Sequence, residues 1–296
     1  MDRRPNILIL MTDQHRHDGL GCAGLPAIRT PNLDRLAARG MRFDSATTVS
    51  PVCMPARASF INSLYPHNHG MWFNSGQVPP CEPTLFKLLQ SAGYRTAHLG
   101  KSHYYAHKGV ADHMVDREPY MRSLGFDDVH ETTGPYATLQ MGSYLTDRWQ
   151  RLGLYETFKA DYHERMARGG LVVRPSPLPE DEFPDSYVGR KAVEYIENYD
   201  DDKPACLFVG FGGPHDPWDA PEPWASVVDP ADTPAAIPPG EATPALPAEL
   251  ADKPDLQSRD ELTPEVIAAI RANNYGKIML VDRWIGRIID AAHNKG

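Results

Sequence analysis

The chain has 296 residues, 41% hydrophobic and 23% charged, and a formal net charge of −9. That length builds one large domain, or one and a half, with an ample core, and the composition is that of a soluble globular protein. The negative balance gives no support to nucleic-acid or membrane partners, so an anion site would have to come from a few placed Arg, Lys and His residues.

Ile7-Leu8-Ile9-Leu10-Met11, ending at Thr12-Asp13-Gln14, is too short an apolar run for a signal peptide or a membrane span. It suits a buried parallel strand. Thr30-Pro31 reads as an N-cap followed by proline at the first helical position, opening a helix that stops at Gly40. Cys53-Met54-Pro55-Ala56-Arg57 then places a thiol at the positive end of a further predicted helix, with Pro55 in its first turn and Arg57 beside it. Both features favour an anion near position 53. Taken alone, the pentapeptide reads first as an ordinary buried cysteine ahead of a capped helix, the commoner fate of a lone cysteine. Cys22, Cys53, Cys81 and Cys206 have no CxxC spacing, which points to neither a zinc cluster nor a disulfide framework. A reduced, cytoplasmic protein is the simplest expectation.

Pro83 to Gly93 reads as a helix, and Tyr94 to Leu99 as a short strand leading into Gly100-Lys101-Ser102-His103. Residues 106–180 lack a clear period and read as an insertion over the sheet edge. Ser186 to Tyr199 is an amphipathic helix, and Ala205 to Phe211 a buried strand emptying into Pro214-His215-Asp216-Pro217-Trp218. A proline-rich stretch over 219–262 reads as an ordered loop beside the site. Thr263-Pro264-Glu265 caps the last helix. Helix, glycine, strand and polar loop recur as in an α/β protein with a mostly parallel sheet and helices on both faces.

Asp13-Gln14, Lys101 with His103, and His215 all follow predicted strands. Sites in open α/β sheets form outside the carboxyl ends of the strands, so these residues should converge on one crevice with Cys53 and Arg57. Singly, Asp13 also suits a turn cap, Lys101 a solvated lysine and His215 a hydrogen-bonded loop histidine.

Asn6 to Gln14, Thr30 to Ala37, Cys53-Met54-Pro55-Ala56-Arg57, Gly100-Lys101-Ser102-His103 and Pro214 to Trp218 together resemble the sulfatases, of the alkaline-phosphatase-like superfamily. The resemblance implies that residues 1–296 are the N-terminal part of a sulfatase catalytic domain. It also implies that a formylglycine-generating enzyme oxidises Cys53 to formylglycine. One hydroxyl of the hydrated aldehyde attacks sulfur, and loss of a proton from the other expels sulfate without attack by water. It implies one divalent cation, usually calcium and in some members magnesium or manganese, held by Asp13, Gln14 and residue 53. Many members carry Asp where Gln14 stands. Arg57 would hold the diol, Lys101 a sulfate oxygen, and His103 would assist elimination. His215 would contact substrate and protonate the leaving oxygen, and Asn74 would offer a polar contact. Further ligands, an Asp followed by Asn or His after a later strand, have no counterpart, since Asp112-His113 lies in the wrong place. The chain therefore reads as a sulfatase portion with an incomplete metal site, its later strands and C-terminal subdomain absent. The implied substrate is a small-molecule sulfate ester. A phosphonate or phosphate ester hydrolase of the same superfamily is the nearest rival, although the Lys101/His103 pair favours sulfate. A non-catalytic homologue with a binding role is the alternative of a different class. Trp72, Trp149 and Trp218 are candidates for stacking on the leaving group, or equally for packing anchors.

Overall fold

The computed structural model describes residues 4–107, 112–168, 171–236 and 261–296. β1 (Ile7–Met11), β2 (Arg95–Lys101), β3 (Asp128–Thr132) and β4 (Ala205–Gly210) form a parallel sheet in the order β1-β4-β2-β3. Successive side chains of a strand face opposite ways. Cys206 and Phe208 of β4 therefore enter one core, while Leu207 and Val209 enter the other.

The first core is closed by α2 (Cys53–Asn62) and α4 (Leu85–Ser91), through Met54, Ala58, Ile61 and Phe86. The second is closed by α8 (Pro184–Glu197) and α9 (Pro264–Lys295), through Val188, Ala192, Leu280, Trp284 and Ile288. Helices thus cover both faces of the sheet, as the alternation of strands and helices predicts. β1 departs from its reading as a buried strand: all five of its residues are half-buried, because it lies at an edge of the described sheet.

A second difference concerns 106–180. Within it, β3 pairs with β2 from Ala97↔Asp128 to Lys101↔Thr132, so this part belongs to the sheet rather than lying over its edge. The same span holds α5 (Glu118–Ser123), α6 (Tyr144–Arg151) and α7 (Tyr155–Ala167). The last two pack Leu145, Trp149, Phe158 and Tyr162 into a separate small core. Trp149 is fully buried there and donates to the Glu182 carbonyl at 2.9 Å, which makes it a packing anchor. Of the stretch 219–262, residues 237–260 lie outside the described residues.

Two helix starts are instructive. α1 (Pro31–Arg39) begins where Thr30-Pro31 predicts, yet Thr30 makes no capping bond. Its hydroxyl is taken by Gly21 N and Asp34. Asp282 of α9 caps the helix instead, accepting from Asn32 N at 3.2 Å and Leu33 N at 2.8 Å. α2 begins at Cys53, and its Met54 N donates to Asn74 Oδ1 at 3.0 Å. Asn74 follows the short α3 (Pro66–His69) in sequence. Both caps come from distant side chains that satisfy the otherwise unpaired N–H groups of a first turn.

Gly100 and Gly210 face each other across β2 and β4. Gly100 has φ of 88°, and a Cβ there would collide with the Gly210 carbonyl oxygen. Only glycine lets the strand ends approach this closely. Lys101 and the loop after β4 emerge side by side as a result.

Candidate active site

The carboxyl ends of β1, β2 and β4 bring Asp13, Lys101 and His215 together, and the N-terminus of α2 adds Cys53 and Arg57. Asp13 N donates to Gly213 O at 3.0 Å, tying the loop after β1 to the loop after β4. Asp13 Oδ2 pairs with Lys101 Nζ at 2.8 Å and accepts from Arg57 Nη2 at 3.0 Å. Asp13, Arg57 and Lys101 are 7%, 4% and 2% exposed. Burial opposes ionisation of Asp13, but the two cations outweigh it and hold the carboxyl well below the usual range. Arg57 also donates to the Lys101 carbonyl at 2.8 Å, which fixes the start of the Lys101–His103 loop.

Two cations against one carboxylate leave this cluster with an excess of positive charge beside the thiol. Cys53 Sγ lies 3.8 Å from Asp13 Oδ1. Burial raises the thiol's pKa despite the cations nearby, so the unmodified side chain is a protonated thiol rather than a thiolate nucleophile.

Gln14 and His103 have φ of 57° and 53°, in the left-handed region that costs a non-glycine residue. Burial, with His107, Lys101 and Arg57 nearby, holds the His103 imidazole neutral. His215 Nδ1 lies 2.6 Å from the Asp216 carbonyl and 3.1 Å from its carboxylate. Behind it, Lys277 Nζ of α9 donates to the carbonyls of His215 at 2.7 Å and Pro217 at 3.1 Å, and to Asp219 at 2.9 Å. Asn274 donates to Pro214 O at 3.0 Å, and Asp185 of α8 accepts from Gly212 N and Gly213 N.

A cavity of about 260 Å³ opens over Cys53, Asn74, Lys101, His103 and His215. His107, Gly134 to Ala137 and Gln140 complete its lining. Trp72, Trp149 and Trp218 do not line it, and Tyr136 supplies its aromatic surface. Gln14 lies instead in a neighbouring cavity of about 420 Å³, which shares Cys53 and also holds Asp13 and Arg57. Of the expected site residues, Cys53, Asn74, Lys101, His103 and His215 line the first cavity, and Asp13, Gln14 and Arg57 line the second, with Cys53 shared between them.

Asp13, Cys53 and His215 place ligand atoms within 4.8 Å of one another, so a cation could be held here. A calcium ion takes six to eight oxygen ligands. Among the described residues the site offers one carboxylate, already shared by two cations, and the Gln14 amide. That is part of a shell.

Sequence reading misses His107, Tyr136, Gln140, Asp185 and Lys277. The signal for Lys277 is a lone lysine on an otherwise apolar helical face. The others carry none, since their roles arise from long-range placement. No helix among the described residues is long and apolar enough to cross a membrane.

The fold is alkaline-phosphatase-like. The structure superposes on a phosphonate monoester hydrolase from Agrobacterium radiobacter with a TM-score of 0.71 at 24% identity, covering 99% of this chain and 60% of that one. The sequence profile described as Sulfatase matches residues 5–296, and the chain belongs to the sulfatase family. It is 28% identical over 309 residues to an arylsulfatase of Clostridium perfringens, covering 99% of this chain and 60% of the relative. It is also 30% identical over 216 residues to an N-acetylglucosamine-6-O-sulfatase of Bacteroides thetaiotaomicron, covering 73% of this chain and 32% of the relative. The chain therefore spans at most 60% of the length of these relatives.

Proposed function

We propose that this chain hydrolyses sulfate esters through a formylglycine formed from Cys53. The observation that carries the reading is the placement of Cys53 at the start of α2, on the floor of the cavity beside the Asp13–Arg57–Lys101 cluster. The hydrate of formylglycine would supply a hydroxyl nucleophile together with a second hydroxyl whose deprotonation re-forms the aldehyde and expels sulfate, which a thiol cannot do.

The chain's own residues divide the remaining work. Lys101 binds a sulfate oxygen and, with Arg57, balances negative charge that grows in the transition state. His103, neutral at working pH, takes a proton from residue 53 during elimination. His215 contacts the ester and delivers a proton to the leaving oxygen. Asn74 offers a polar contact to the transferred group while its carbonyl oxygen caps α2. Asp13 and Gln14 would hold a divalent cation, calcium before magnesium or manganese. Among the described residues these supply part of a coordination shell. Maturation by a formylglycine-generating enzyme is part of this reading.

The test compares kcat/KM for 4-nitrophenyl sulfate and phenyl phosphonate with the matured chain in millimolar calcium. Preference for the sulfate is expected, together with loss of activity in Cys53→Ala. A higher efficiency on the phosphonate would assign the chain to ester hydrolysis at phosphorus.

A further inference from the structure

We propose that Asp216 and Tyr136 are positioning residues for His215, holding its imidazole with a proton on Nδ1 and with Nε2 presented to the leaving oxygen of the ester. The inference rests on the sulfate-ester reading and gives a role to two side chains that the reading leaves without one.

The neighbours of His215 Nδ1 are the Asp216 carbonyl oxygen at 2.6 Å and the Asp216 carboxylate Oδ1 at 3.1 Å. Both only accept hydrogen bonds, so Nδ1 carries the proton they share. The hydrogen bond made by one imidazole nitrogen sets what the other presents. Nε2 is therefore the nitrogen left for the cavity that His215 lines. The second Asp216 oxygen accepts from the Tyr136 hydroxyl, so bonds at both oxygens fix the plane of the carboxylate. They also tie the loop after β3 to the loop after β4. Lys277 and Asn274 hold the backbone of the latter through the His215 and Pro214 carbonyls. What the Asp216 side chain adds is control of the ring's rotation.

Asp219, three residues on, shows the contrast. It is buried and paired with Lys277 Nζ at 2.9 Å, an ion pair that holds the fold. Among the described residues Asp216 pairs with no Lys or Arg, and its side-chain partners are His215 and Tyr136. Both of them line the cavity and Asp216 does not, so it acts through the histidine. In the step it supports, the bond from sulfur to the leaving oxygen breaks and the electron pair stays on that oxygen, which takes the Nε2 proton. The ring keeps its proton on Nδ1, the form its two acceptors require. A leaving group that is stable as an anion needs the proton little, and a poor one depends on it.

The test measures kcat/KM of the matured chain for 4-nitrophenyl sulfate and phenyl sulfate, whose leaving oxygens differ in their need for a proton. Asp216→Ala is expected to lose about tenfold on phenyl sulfate and less than about twofold on 4-nitrophenyl sulfate. Asp216→Asn, which keeps an acceptor for Nδ1, should recover most of that loss, and Tyr136→Phe should lose in the same direction by a smaller factor. In a His215→Ala background, Asp216→Ala should cost nothing further, because groups that act as a unit are not additive. Nitrogen-15 NMR of the natural chain with Cys53 unmodified gives a readout free of turnover and substitution: the proton should sit on His215 Nδ1. Equal losses on the two esters, a further loss in the His215→Ala background, or a bare Nδ1 beside a protonated Nε2 would overturn the positioning role and leave the sulfatase reading intact. Hydrolysis of neither ester by the natural chain would overturn the sulfatase reading, and the Nδ1 signal would still decide how the ring is held.

Discussion

Lys101 and Arg57 share a single carboxylate oxygen of Asp13, and that arrangement explains how a buried, positively biased pocket is tolerated in a chain of net charge −9. A second buried carboxyl lies behind the same loop. Glu131 accepts from the Ser102 hydroxyl and, at 2.9 Å, from Tyr105, so it braces the residues on either side of His103. Burial pushes its pKa up to about 8, against the opposing effects of Tyr105 and Arg117. A carboxyl raised in the folded state contributes stability that is complete below its ordinary value of 4.5 and is lost as pH rises towards 8. Between about pH 5 and about pH 8 the urea midpoint of the natural chain should therefore fall relative to that of Glu131→Gln, a comparison in which the buried neutral imidazoles common to both cancel. Parallel curves would mean that Glu131 is ionised in the folded protein.

At the scale of elements, strand ends position the site and helices from elsewhere in the sequence hold it. The loop after β4 hangs on α9 through Asn273, Asn274 and Lys277, and on α8 through Asp185. Lys277 and Asp219 are 2% and 1% exposed, and Tyr162 donates to the other Asp219 oxygen at 2.7 Å. Removing one partner of a buried pair leaves an uncompensated charge, so Lys277→Met should cost about 3–5 kcal/mol in urea unfolding. Adding Asp219→Asn should recover part of that loss. A cost below about 1 kcal/mol would show that the pair is solvated. The contrast between strands and their supports also explains what can be read from sequence. β1 and β4 are legible as apolar runs ending in polar residues or glycine, and β2 as the short stretch between Gly93 and Gly100. β3, Asp128-Val129-His130-Glu131-Thr132, is mostly polar and owes its place to pairing with β2. Thr30 has the chemistry of a cap, yet Asp282, 252 positions beyond it, does the capping, a long-range choice that local patterns do not encode.

For the molecule as a whole, the site residues named by the sequence came together because motifs at strand ends must share one edge of the sheet. Their environment was not legible: part of the cavity's lining, Gly134 to Ala137 and Gln140, comes from a stretch with no periodicity, and Gln14 opens towards a different cavity from Lys101. With one carboxylate among the described residues near Cys53, calorimetry of the 296-residue chain should show calcium binding weaker than about micromolar. Micromolar binding would mean that the chain supplies oxygen ligands beyond those described. The central claim is that Cys53 is the precursor of the nucleophile. Its most direct test is mass spectrometry of the peptide containing residue 53 after co-expression with a formylglycine-generating enzyme. The account predicts a loss of about 18 Da relative to the cysteine peptide, and an unaltered cysteine mass would contradict it.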